Sequence, residues 1–370
     1  MFDYTYLPAP NLIPSLVEMM LKIVFIFSMN MGVFAPLLGW VERKQSALMQ
    51  DRIGANRAEI FGFTVFGLLH TITDAIKLLT KEDFIPRGAD KPLHYLAPFI
   101  AVVPSLVAFA VIPFGGKYML WGHEVNLVIA DLNVGMLYVF AVASLATYGS
   151  VIAGWASNNS WSLLGSMRVG AQMLSYEVAM GLTLVGIFMV YGSLQLTTIG
   201  MAQENFFHWG IFLQPLGFIL FIACALAENK RTPFDIPEAE SELIAGYFTE
   251  YSGLKFAMFW MAEFLEMVTI AAVLVAVFFG GWHIPFITHQ GLISAMSYLF
   301  GSNFGAIAAM LIHIAVFWLK VVLWIVILML IRWSLPRFRF DQVMKLGWKI
   351  VLPLALVNIF LTGLVLLAVR

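Results

Sequence analysis

The chain has 370 residues, of which 61% are hydrophobic, 15% aromatic and only 12% charged, with a formal net charge of −1. A mean hydropathy of +0.87 excludes an ordinary soluble domain. The bases are spread over several loops, which argues against a nucleic-acid patch, and one cysteine, Cys224, can build neither a disulfide nor a cysteine-ligated zinc or iron–sulfur cluster.

At roughly 20 residues per crossing, the apolar runs predict an all-α integral membrane protein. It forms a single domain over residues 1–370, with eight transmembrane helices and interfacial amphipathic helices in the cytoplasmic loops. The first span is expected at 15–40, after an acidic, proline-containing start without the basic region of a cleavable signal peptide. Its inner end carries Glu42-Arg43-Lys44, followed by Gln50, Arg52, Gly54 and Asn56. Flanking bases anchor a helix at the interface, but an acid such as Glu42 adds little to anchoring. The loop at 41–92 holds an apolar stretch, 60–79, with Asp74 and Lys77 inside it. It reads as a helix lying at the interface, because a ninth crossing there would invert every later loop.

Spans two to five are expected at 93–114, 133–155, 168–192 and 210–227, with Asp131 and Asn133 capping the third. Span four contains Ser175-Tyr176-Glu177. A carboxylate at that depth costs roughly 2.5–3.5 kcal/mol, so it faces a bundle interior or a wet path. Arg168 lies nine residues away, about 13.5 Å along a helix, too far for a direct pair.

The polar segment after span five is the most unusual part of the chain. Residues 228–250 hold Glu228, Asp235, Glu238, Glu240, Glu242 and Glu250 against Lys230 and Arg231. Two like charges about 4 Å apart repel by about 4 kcal/mol at an effective dielectric near 20. Such a cluster must be hydrated, paired or holding protons. Pro233 and Pro237 keep its start extended, and Asp235 with Glu238 resembles a capping box that starts a helix near 236. That helix would place Glu238 and Glu242 on one face and Glu240 roughly opposite, leaving some of the acids to pair with loop bases.

Span six, 253–280, carries Glu263 and Glu266 three residues apart, which share a polar interior suited to reversible proton uptake. Span seven, 306–331, holds Lys320 too far from either end to snorkel easily, which calls for a buried acid partner or a lowered proton affinity. Span eight is expected at 343–368. His70, His283, His289 and His313 show no metal-ligand spacing. Of the 21 basic residues, 17 fall in the connections 41–92, 156–168, 228–255 and 332–349, all on one side. The positive-inside rule puts that side in the cytoplasm and both termini outside.

Several runs together resemble the quinone-proximal membrane subunit of respiratory complex I, the NADH:quinone oxidoreductase (called NuoH in bacteria and subunit 1 in mitochondria). The carriers are Glu42-Arg43-Lys44, Arg52-x-Gly54-x-Asn56, Asp74-Ala-Ile-Lys77, Ala171-Gln172-Met-Leu-Ser-Tyr-Glu177, Arg231-Thr-Pro-Phe-Asp235, Pro237-Glu-Ala-Glu-Ser-Glu242 and Glu250-Tyr-Ser-Gly253, and the likeness covers nearly all of residues 20–368. The resemblance implies a subunit without a redox centre of its own, and so without catalytic redox residues. It forms a chamber that admits the quinone substrate from the bilayer and links its reduction to proton translocation. By position, Glu42, Arg43, Arg52, Asp74, Arg231 and Asp235 would line the chamber. Glu177, Glu228, Glu238, Glu240, Glu242 and Glu263 would form the acidic path toward the pumps. NADH, FMN and iron–sulfur clusters would sit on partner subunits. The partners are peripheral quinone-site subunits, antiporter-like membrane subunits and lipid, in the inner (plasma) membrane of a bacterium.

Three positions depart from the family pattern: Ala55 replaces a usual proline, Phe264 a common tyrosine, and Ser144 stands where some members carry an acid. The alternatives are the anchor subunit of a related membrane-bound hydrogenase, a stand-alone ion transporter using Glu177 and Lys320, and a purely structural anchor.

Overall fold

The computed structural model describes residues 12–237 and 240–369. Among them, seven helices are long and apolar enough to cross a membrane. They are α1 (Leu16–Met49), α3 (Lys91–Val111), α4 (Gly135–Ala156), α5 (Ser160–Tyr191), α7 (Gly253–Phe278), α9 (Ser302–Ser334) and α10 (Phe340–Ala368). The shorter helices include α2 (Leu69–Thr80), α6 (Pro215–Glu228) and α8 (His289–Phe300). The fold is therefore an all-α membrane protein, relieved by one small hairpin, β1 (Lys117–Leu120) against β2 (His123–Asn126).

α7 is the hub. In its most apolar stretch 83% of residues are buried, against 22% for α10, so α7 runs through the bundle and α10 lines its rim. α7 packs on α3 and α9, and on the inner half of α1 through the Trp260 ring against Gly39. α6 is the shortest of the expected crossings. Pro215 cannot continue the preceding turn, Gly210–Leu213, so the chain breaks at Gln214 and restarts. Fourteen residues rise about 21 Å, less than the ~30 Å of a hydrocarbon core. The buried Gln214 side chain ties this break to α10, donating to Thr362 at 2.7 Å and accepting from Asn358 at 3.0 Å.

Two long helices overrun their expected ends. α1 continues to Met49, because nothing between Trp40 and Met49 is glycine or proline, so Glu42 and Arg43 stand on a rigid helix and not in a loop. α5 starts at Ser160, where the Asn159 side chain accepts from Trp161 N. α2 lies where an interfacial helix was expected, with Ile72, Ile76 and Leu79 exposed.

Three local expectations are corrected. Ile236 and Pro237, where a helix was expected to start, lie in a turn, and helix is described over Glu240–Leu243; Asp235 pairs with Arg337 at 2.6 Å, and Glu238 lies outside the described residues. Asp131 does not cap α4. It accepts from Gln195 and Thr197, both at 2.8 Å, and so ties two connections together. Lys320 meets no acid among the described residues. Instead it donates to the carbonyls of Phe279, Gly281 and His283 at 2.7, 3.0 and 2.6 Å, where the negative end of the α7 dipole emerges.

Candidate functional site

Four segments meet at one end of the bundle: α1, the turn after α6, the first half of α7, and the end of α9. Glu42 of α1 is their common acceptor. One carboxylate oxygen takes Arg231 at 2.9 Å and the other takes Arg332. Arg231 also reaches toward Glu263 of α7 at 3.8 Å and stands over the Phe264 ring at 4.6 Å. Tyr247 donates to the other oxygen of Glu263 at 3.2 Å. Glu42, Arg231 and Glu263 are almost entirely withdrawn from solvent. Isolated charges of this kind cost several kcal/mol each to bury, which is why they occur here as an alternating network.

The turn that supplies Lys230 and Arg231 is held from two sides. Gln172 of α5 is fully buried and donates to both Ala227 O at 2.8 Å and Phe234 O at 2.9 Å, the two ends of the turn. From the α9 side, Thr232 donates to Arg332 O at 2.8 Å, and the Phe338 amide donates to Pro233 O at 3.0 Å.

Beside this network runs an apolar groove of about 280 Å³ between α1, α2 and α7, with Phe264 and Asp74 among its walls. Asp74 is bonded to Arg43 at 2.5 Å. Most of the remaining wall is aliphatic or aromatic, including Leu78, Ala257, Trp260 and Met261. Phe264 is thus shared: it lines the groove and also carries the Arg231 guanidinium.

A second set of acids lies deeper. Lys230 reaches Glu266 at 3.6 Å, and Glu228, Glu263 and Glu177 surround the pair within electrostatic reach. Burial works against the Lys230 ammonium, but Glu266, Glu263 and Glu228 outweigh it and hold the group above its ordinary value, so it stays charged. Glu228 and Glu266 open onto a small internal cavity of about 40 Å³ that also touches Ser105 and Thr269. Most of its remaining wall is apolar, including Met136, Val139, Phe140, Met180 and Phe221.

The expected site residues therefore divide. Glu42, Arg231 and Glu263 are joined directly, Arg43 and Asp74 form a pair on the groove, and Glu177 and Glu228 stand around Lys230. Asp235 joins the periphery through Arg337. Arg52 is not brought in: it is exposed and bonds Gln50 at 2.7 Å. Glu242 is half exposed and pairs with Arg168 at 2.7 Å, the loop-base pairing expected for some of these acids. The side chain of Glu240 is not described, and Glu238 lies outside the described residues. Sequence reasoning gave no role to Arg332 and Arg337, which looked like positive-inside anchors, or to Gln172. No local signal links Glu42 to a base 290 residues away.

These features define a class: a multi-span membrane protein that buries an alternating carboxylate–cation network next to a lipid-sized groove. The chain belongs to the NADH dehydrogenase family, whose pattern matches residues 21–363. It is 46% identical over 346 residues to the first form of the NADH-quinone oxidoreductase H subunit of Geobacter metallireducens, covering 94% of this chain and 95% of that protein. It is 43% identical over 348 residues to the protein of the same name from Cytophaga hutchinsonii, covering 94% and 96%. The NADH-quinone oxidoreductase H subunit of Flavobacterium johnsoniae is 41% identical over 352 residues, covering 95% and 96%.

Proposed function

We propose that the chain is the membrane subunit of a bacterial inner-membrane NADH:quinone oxidoreductase, in which it supplies the quinone-access chamber and part of the path that couples quinone reduction to proton translocation. The observation that carries this reading is the Phe264 wall, which separates an apolar groove from the Arg231–Glu42–Glu263 network. A hydrophobic quinone tail fits such a groove, and a headgroup gaining electrons and protons needs charged groups close by. In this reading Glu42, Arg43, Asp74, Arg231 and Asp235 surround the chamber. Glu263, Glu228 and Glu177 carry the change in charge inward, with Glu266 and Lys230 between them. Arg52 sits on a loop that also exposes Ile53, Phe61, Phe63 and Phe66, a surface suited to a peripheral partner subunit. NADH, FMN and iron–sulfur clusters belong to partner chains, and both termini lie on the periplasmic side. A hydrogenase anchor or a stand-alone transporter receives no support from the names of the relatives.

Filling the groove tests the chamber. Ala257→Trp is expected to raise the KM for added quinone about tenfold, while NADH oxidation by a water-soluble artificial acceptor is unchanged in the same membranes. An unaltered quinone KM in correctly assembled complex would remove the groove from the pathway.

Asp235 gives a pH test. Burial pushes its carboxyl up to about 6, against the pull of Arg337. The folded protein therefore holds this proton more tightly than the unfolded chain. For this group alone, stability is greatest below the ordinary value of 3.8 and declines as pH rises toward about 6. Arg337→Gln removes the main opposing charge, so the carboxyl moves higher still. The acid limb of the quinone-reductase pH profile is expected to move to higher pH in that variant. A superimposable profile would mean that Asp235 does not titrate during turnover.

A further inference from the structure

Residues 50–68 join α1 to α2 and expose Ile53, Ile60, Phe61, Phe63 and Phe66, Phe61 almost completely. Both ends of this loop are pinned to α1. Lys44 Nζ donates to Ile53 O and Trp40 Nε1 to Phe66 O, each at 3.0 Å. Gly67 closes the base, where a Cβ would stand 1.9 Å from Ala55 O. Between the pins, residues 54–64 form no helix, and their one internal pairing joins Ile60 to Phe63. Phe61, Val65 and Phe66 have φ of 51°, 44° and 54°, in the left-handed region that bulky side chains avoid. The loop therefore does not keep this shape by its own backbone preference.

The hold comes from α2. His70, in its first turn, accepts at Nε2 from the backbone N–H groups of both Arg57 and Ala58, each at 3.1 Å. Among the described residues no other side chain bonds residues 54–64. Two donors on one ring nitrogen define the form of the ring: it is the neutral imidazole with its proton on Nδ1, and the Nε2 lone pair faces the loop. A protonated ring carries N–H on both nitrogens and has nothing left to accept with.

The charged groups around the ring are few and mostly engaged. On α2 itself, Asp74 stands one turn beyond His70 but is taken by Arg43 of α1, and Lys77 follows it. The loop brings Arg57 and Glu59. α1 brings Lys44, whose ammonium lies on Ile53 O, and α7, which also packs on α2, brings Lys255, which Asp83 takes at 2.9 Å. No acid among the described residues bonds the ring. The same helix has a second duty. Asp74 and Leu78, four and eight residues beyond His70 and so on the same face, line the apolar groove. α2 thus carries the loop and one wall of the groove on a single rigid piece.

We propose that His70 is a positioning residue for quinone reduction: its neutral imidazole latches residues 54–64 onto α2, and so fixes the apolar surface offered to a peripheral subunit relative to the groove. The inference rests on the reading of that surface as partner-facing. Protonation of the ring removes the acceptor of both bonds at once, so the latch opens as acid is added on the side of the loop.

The test compares the intact purified complex carrying the unaltered chain, His70→Phe or His70→Gln. Phenylalanine keeps a flat ring without an acceptor, and glutamine offers an amide oxygen that accepts but does not titrate. In His70→Phe, deuterium uptake by the peptide over residues 54–64 is expected to quicken about tenfold. The KM for quinone should rise about threefold with kcat little changed, and the peripheral subunits should wash off at lower salt. His70→Gln should restore all three. As pH is lowered from about 8 to about 5.5, uptake corrected for the intrinsic exchange rate should rise in the unaltered protein and stay level in His70→Gln. Equal uptake in all three proteins would overturn the latch, as would a glutamine variant as loose as the phenylalanine one, or the same pH response in the unaltered and glutamine proteins. If His70→Phe fails to assemble, the pH comparison decides alone. A loosened loop with unchanged KM and unchanged retention of the peripheral subunits would instead overturn its role in the reaction, and with it the partner-facing reading of the surface.

Discussion

Replacing Glu42 with glutamine is expected to abolish most quinone-reductase activity and to reduce the amount of assembled complex. Two guanidinium groups, Arg231 and Arg332, share the Glu42 carboxylate, and its side chain is only 12% exposed. Breaking a buried charged pair by removing one partner costs about 3–5 kcal/mol, because the other charge is left uncompensated. Here two cations lose that partner together. Glutamine keeps the shape and one acceptor oxygen, so the loss would come from charge and not from packing. Arg231 would keep the pull of Glu263, which lies farther away at 3.8 Å, and would be held less firmly in its place over Phe264. The measurement is NADH-driven quinone reduction per assembled complex, with assembly read from native gels. Glu42→Asp, which keeps the charge on a shorter arm, should retain more activity than Glu42→Gln. Wild-type turnover in Glu42→Gln would show that the network does not serve the reaction.

Lys230→Met carries the second large effect. Lys230 is the cation nearest the deeper acids, 3.6 Å from Glu266 and within electrostatic reach of Glu177, Glu228 and Glu263. Without it these acids would be left close together with no cation among them, Glu228 and Glu266 beside a cavity too small for bulk water. At about 4 Å and an effective dielectric near 20, each ionised pair would repel by about 4 kcal/mol, so the cluster would take up protons and hold them. Proton translocation per electron pair should then fall further than quinone reduction does. The ratio is read from acidification of inside-out vesicles during measured NADH oxidation. Loss of both activities in equal proportion would assign Lys230 to the chamber alone. An unchanged ratio at full activity would remove it from the coupling path. Because the surrounding acids hold the Lys230 ammonium above its ordinary value, its stabilising pairing persists across the physiological pH range and fades only in strong alkali.

The surface pair Arg168–Glu242 supplies a contrast. Its geometry is good, at 2.7 Å, but Glu242 is half exposed. Exposed ion pairs contribute ~0–1 kcal/mol, so this contact orders the loop without dominating its energy. Distance alone does not distinguish it from the Glu42 pairs; burial does.

Much of this architecture was legible in the chain. Apolar runs of about 20 residues dictated helices, since only a helix or a closed barrel satisfies its backbone in lipid. The acids Glu177, Glu263 and Glu266 stood out because burial makes each one costly without a partner, and Glu42 because an acid adds little to interfacial anchoring. The cluster at 228–250 announced itself through like charges that could not all remain ionised together. Other features left no local trace. The break at Gln214 and the overrun of α1 depended on a few residues at helix ends, where length alone decides nothing. Lys320 called for an acid partner or a lowered proton affinity, and which groups would meet it, three carbonyls at the end of α7, could not be read from the chain.

What the sequence determined by itself was the class of structure and the list of groups too costly to bury alone. Those properties follow from composition and spacing, because transfer into lipid acts on each segment separately. What only the tertiary structure decided was partnership: that Arg231 and Arg332 converge on Glu42, that Gln172 clamps the turn between them, and that Phe264 stands between the groove and the charges. Electrostatic pairing acts over a few ångströms between residues up to 290 positions apart, and nothing along the chain records which of many bases will arrive.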